Sequence, residues 1–85
     1  MLPRIKSVIP IEKMKIQVVF QNNEEKFYDI SQLCTRFPQF RQLEVETDLY
    51  KQAKVDTGGL GISWNDDLDL ASEEIWEYGT SKKRE

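Results

Sequence analysis

The sequence predicts an α+β fold: a small, mostly antiparallel sheet of about five strands with two or three short helices. Three observations carry this. Met14, Ile16, Val18 and Phe20 alternate with Lys15, Gln17 and Gln21 at the period of two that marks a strand with one buried face. Ile30, Leu33, Cys34 and Phe37 then recur at the spacing of a helix. The strand-like runs are joined by short segments rich in Asn and Gly, which favour antiparallel hairpins over long crossovers.

In chain order, Arg4 to Ile9 is rich in β-branched residues and reads as a first strand that Pro10 should end, because proline lacks an amide donor. The alternating run to Phe20 is the second strand. Gln21-Asn22-Asn23-Glu24 forms a turn, since Asn tolerates positive φ, and Lys26 to Asp29 returns as the third strand of a meander. Asp29 or Ser31 caps the helix that follows. Pro38 stops that helix by pushing Phe37 out of the α region, and Phe40 and Leu43 fall on a second short turn. Thr47-Asp48 opens a brief helix over Leu49, Tyr50 and Ala53. Lys54 to Asp56 and Leu60 to Trp64 flank Thr57-Gly58-Gly59 as a second hairpin, with Leu60, Ile62 and Trp64 on a shared face. Leu68 and Leu70 extend the alternation. Ser72 to Glu77 is a last helix, with Glu73 and Glu74 at its positive end and Gly79 as its stop.

At 85 residues the chain has room for one core, expected over residues 1–80, with 81–85 as a charged tail. A domain this small hides only about 60 to 65% of the surface its unfolded form exposes, so self-association is one way to add stability. Cys34 is the single cysteine, which excludes an internal disulfide and suits the reducing cytoplasm. The apolar residues near the N-terminus are broken by Arg4, Lys6, Pro10 and Glu12, so no signal-peptide core is expected, and no run approaches a membrane span.

Residues 3–78 resemble a bacterial family, domain of unknown function 2442. The resemblance rests on the opening Pro3-Arg4-Ile5-Lys6-Ser7-Val8-Ile9-Pro10, the alternation ending at Phe20 and Phe27-Tyr28-Asp29-Ile30. It continues through Val55-Asp56 and Gly61-Ile62-Ser63-Trp64 running into Asp67-Leu68-Asp69-Leu70. Relatives usually carry Gly in the first hairpin where this chain has Asn22-Asn23, and Ser-Pro at the last helix where it has Ala71-Ser72. The resemblance implies an α+β fold and no activity, and offers no catalytic or binding residues to carry over. Some relatives look like N-terminal halves fused to a helix-turn-helix, or sit beside partners resembling toxin-antitoxin pairs. The resemblance thus keeps an accessory regulatory role in a DNA-linked complex as an alternative, although no DNA-reading element is expected here.

The chemistry that the residues exclude is broad. The chain has no histidine, so Ser-His-Asp and Cys-His arrangements cannot be built within it. Cys34, on the apolar stripe, reads as a buried structural thiol. Gly58-Gly59-Leu60-Gly61 precedes a strand, whereas phosphate loops open a helix. Asn65, Asp67 and Asp69 match the first alternate positions of a calcium loop, but Leu70 and Trp76 stand where Gly and a bidentate Glu are needed. Neither metal nor other cofactor is expected. Exposed carboxylate pairs lack the desolvated partner that acid-base catalysis requires, so an enzyme would need a site shared across a dimer interface.

Charge placement is more informative. Residues 1–64 hold nine Lys/Arg against eight Asp/Glu, while residues 65–79 hold six acids and no base. Lys82, Lys83 and Arg84 form a basic end too short for a nucleic-acid arm, and direct nucleic-acid binding is not expected. The final helix cannot bury Ile75, Trp76 and Tyr78 alike, since at about 100° per residue they span some 300° of its circumference. The expected function is therefore a non-catalytic protein-interaction module. Its partner face is Asp66, Asp67, Asp69, Glu73, Trp76, Glu77 and Tyr78, and its partner is basic.

Overall fold

The computed structural model describes residues 2–12 and 14–81. Residues 82–85 of the basic end lie outside the described residues. Among the described residues, six strands form two three-stranded antiparallel sheets. The first is a meander of β1 (Ile5–Ile11), β2 (Lys15–Phe20) and β3 (Glu25–Asp29), with β2 central. The second joins β4 (Lys54–Val55), β5 (Gly61–Asn65) and β6 (Leu68–Ala71), with β5 central. Between them run α1 (Ser31–Arg36), a 3₁₀ turn over Pro38–Arg41, α2 (Gln42–Val45) and α3 (Thr47–Tyr50). The helix α4 (Ser72–Tyr78) follows β6 directly. The α+β class and the antiparallel pairing are as the residue pattern predicts; the strands are divided between two sheets.

The meander obeys its sequence closely. Ile16, Val18 and Phe20 are fully buried, and Val18 and Ile16 pair across from Val8 and Pro10 of β1. Contrary to expectation, Pro10 does not end the first strand. β1 is an outer strand of its sheet, where a missing amide donor can face away from the ladder. Met14 sits before β2 rather than in it, with φ 61° in the turn. The second turn is built as its two asparagines suggest: Asn23 has φ 70°, and the Asn22 Oδ1 accepts the Glu24 amide at 3.0 Å.

Two apolar residues leave the faces assigned to them. Phe37 is 44% exposed, because at φ −131° and ψ 87° before Pro38 it has left the helix and its stripe. Leu60 is 59% exposed, since it closes the turn made by the left-handed Gly58 and Gly59 and β5 begins only at Gly61. Ile62 and Trp64 do face inward, and as the central strand β5 also buries Gly61 and Ser63.

Among the described residues, one cluster of buried side chains runs through both sheets and the helices. Tyr28, Ile30, Leu33, Ile62, Leu68 and Ile75 are its most enclosed members, together with the β2 face. The sheets are joined where β1 lies alongside β4 and the turn that follows it, and where α4 packs on β3, β5 and β6.

Candidate protein-binding face

The last helix is anchored at both ends by backbone. Ala71 precedes it in extended conformation, the Ser72 amide donates to the Leu60 carbonyl at 2.9 Å, and the Gly79 amide closes the last turn on Ile75 at 2.8 Å. Glu73 and Glu74 lie in the first turn, where the helix dipole favours carboxylates. Ile75 is fully buried. Trp76, one residue on, stands edge-to-face on Phe20 at 5.0 Å, with the Lys26 ammonium 5.0 Å from its ring centroid. Tyr78 is the aromatic left outside, 62% exposed.

Glu74 corrects the picture of six uncompensated acids. Its Oε2 accepts the Arg36 Nη2 at 2.6 Å and the Tyr28 hydroxyl at 2.7 Å, tying α1 and β3 to α4. Burial and the bond to Glu74 push the Tyr28 phenol well above its ordinary range, so it stays a donor. The hydrogen bond to Glu74 likewise holds Arg36 above its usual value. Arg36 is half exposed, so this pair fixes geometry more than it adds stability.

Glu73 and Glu77, four residues apart, point the same way. With Ala71, Glu74 and Tyr78 they line an open depression of about 370 Å³. With Leu2 and Trp76 they line a second, of about 300 Å³. Asp69 opens instead onto an adjoining groove of about 310 Å³ with Phe37, Gln39, Phe40, Leu70, Ala71 and Glu74. Of the residues assigned to the face, Glu73, Trp76, Glu77 and Tyr78 are thus brought together and Asp69 lies next to them. Asp66 and Asp67 stand apart, exposed on the β5–β6 turn and lining none of these hollows. Phe37 and Ala71 complete the surface without having been assigned to it.

The family model for a protein of unknown function, DUF2442, matches residues 5–81, leaving four positions at each end. The chain belongs to the DUF2442 family. No curated protein and no solved structure matches it significantly. Membership in DUF2442 therefore assigns no chemistry.

In this DUF2442 chain an open cleft of about 600 Å³ lies between the end of β1 and the α2–α3 segment, lined by Pro10, Ile11, Met14, Leu43, Thr47 and Tyr50 with Glu12, Glu44 and Lys51. The Tyr50 hydroxyl at its floor is occupied by the Ile11 and Lys15 carbonyls. Cys34 is buried, its thiol pushed up by burial, and its Sγ–H points at the Ile30 carbonyl at 3.9 Å. Asn65 spends its Oδ1 on the Asp67 and Leu68 amides, both at 2.9 Å, so in the calcium-like segment this side chain builds the turn. Among the described residues no three His, Cys, Asp or Glu side chains are grouped to hold a metal, and no helix is long and apolar enough to cross a membrane.

Proposed function

We propose that this protein is a non-catalytic interaction module that presents the outer face of α4 to a basic protein partner. Glu73, Glu77 and Tyr78 form the centre, Trp76 buttresses one flank, and Asp69, with Asp66 and Asp67 on the neighbouring turn, extends the negative field. The observation that carries this reading is the exposure of Tyr78, 62%, on a depression whose charged lining is entirely carboxylate. An aromatic ring leaving water supplies affinity, and the acids around it speed encounter with a cation-rich surface and discourage acidic proteins.

The test is the charge reversal Glu73→Lys with Glu77→Lys, on two exposed positions. Against a partner recovered by affinity capture, its association rate at low salt should fall by roughly tenfold or more and converge on the parent's as salt rises. An unchanged rate and affinity would show these charges to be solvation only.

A further inference from the structure

We infer that the partner contributes a short basic segment with one apolar side chain, which lies across Ala71 from Tyr78 and seats that side chain against Phe37. This rests on the interaction reading above and names the partner's chemistry. The groove beside Asp69 and the depression beside Tyr78 share Ala71 and Glu74 as a common border, so the two adjoin. The floor of the groove is apolar, formed by Phe37, Phe40, Leu70 and Ala71. Phe37 is 44% exposed yet held in place: it stands edge-to-face with Phe40 at 6.5 Å, and Arg36 lies 5.5 Å from its ring while bound to Glu74. A ring fixed in this way loses little freedom when a ligand covers it.

Charge selects the occupant. The joined lining carries Asp69, Glu73, Glu74 and Glu77 and no Lys or Arg. Glu74 has Arg36 as its counter-ion, and among the described residues no cation stands within ion-pair distance of the other three. Phosphate-bearing ligands are repelled by such a lining, while Lys or Arg side chains on either side of an apolar residue match its alternation of carboxylate and ring. The open hollow beside Phe37, about 310 Å³, has room for one side chain of a segment that crosses it.

The probe is a synthetic lysine-rich peptide with one central leucine, titrated into the isotopically labelled full chain and followed by amide chemical shifts. Shifts should concentrate at Phe37, Gln39, Asp69, Ala71 and Tyr78. A control peptide with serine for leucine should bind more weakly by about fivefold or more, the scale of one lost apolar contact. Phe37→Ser should weaken the leucine peptide by a similar factor, and Gln39→Lys, which sets a cation at the rim of an exposed turn, should do so without touching the core. If Glu73→Lys with Glu77→Lys weakens binding while the serine peptide, Phe37→Ser and Gln39→Lys leave it unchanged, the groove is not the seat and the charged face alone stands. If the charge reversal also has no effect, or no shifts appear at millimolar peptide, both readings fall.

Discussion

Tyr50 has its ring in the core and its hydroxyl shared between the Ile11 and Lys15 carbonyls, which bracket the β1–β2 turn. Its own carbonyl accepts the Trp64 indole N–H at 3.2 Å, so one residue links α3 to both sheets. Burial pushes its phenol from 10.0 up to about 12, and burial with the Glu74 bond moves Tyr28 in the same direction. Below the unfolded value both states hold the proton and the contribution to stability is complete. Between pH 10 and about 12 the unfolded chain releases the Tyr50 proton while the native state keeps it, so that contribution is lost as pH rises. Tyr50→Phe removes the hydroxyl and should cost about 1–3 kcal/mol near pH 8, by leaving two carbonyls short of a donor. The difference in melting temperature between parent and variant should then shrink as pH rises past 10. A difference that stays constant across the alkaline range would show that the phenol does not titrate in this way.

At the level of elements, α4 divides its aromatics between anchoring and display. Trp76→Ala should cost about 2 kcal/mol in denaturant unfolding, because the ring packs edge-on against the fully buried Phe20. The Glu73→Lys, Glu77→Lys chain should stay within about 1 kcal/mol of the parent, the difference being the helix-dipole interaction of Glu73. If Trp76→Ala melts like the parent, the indole belongs to the free surface and not to the anchor. The period of two in β2, the Asn22-Asn23 turn and the start of α4 were all legible, since each follows from local alternation or local φ preference, while α4 runs on through Tyr78. Phe37 was misplaced because its spacing continues the helical stripe while Pro38 bends the backbone away beneath it. Leu60 was misplaced because the glycine turn consumes one more residue than the alternation implies. The bond from Arg36 to Glu74 joins residues 38 positions apart, and no local pattern encodes it. The acidic and aromatic composition around α4 was therefore readable, but the groove at Phe37 that adjoins it across Ala71 required the tertiary structure.

For the molecule as a whole, the β4–β5 turn resting on the start of β1 is one of the contacts that join the two sheets. Gly58 and Gly59 both have positive φ, 84° and 72°, so an alanine at either pays for a left-handed backbone, about 1–2 kcal/mol. Their surroundings differ. A Cβ on Gly58 would come no closer than 3.4 Å to anything, and its nearest neighbour is the Arg4 guanidinium, which can move. A Cβ on Gly59 would stand 2.6 Å from the Ile5 carbonyl and 3.0 Å from the Ile5 amide nitrogen, so the turn must lift away from β1. Gly59→Ala should therefore destabilise by roughly 1–3 kcal/mol more than Gly58→Ala, the usual cost of overpacking. Because one core cluster spans both sheets, the loss should appear as a lower melting temperature with a single transition by both far-ultraviolet circular dichroism and tryptophan fluorescence. Equal losses for the two variants would mean that the turn does not bear on β1. Separate transitions for the two probes in Gly59→Ala would mean that the sheets unfold independently and that the shared core does not couple them.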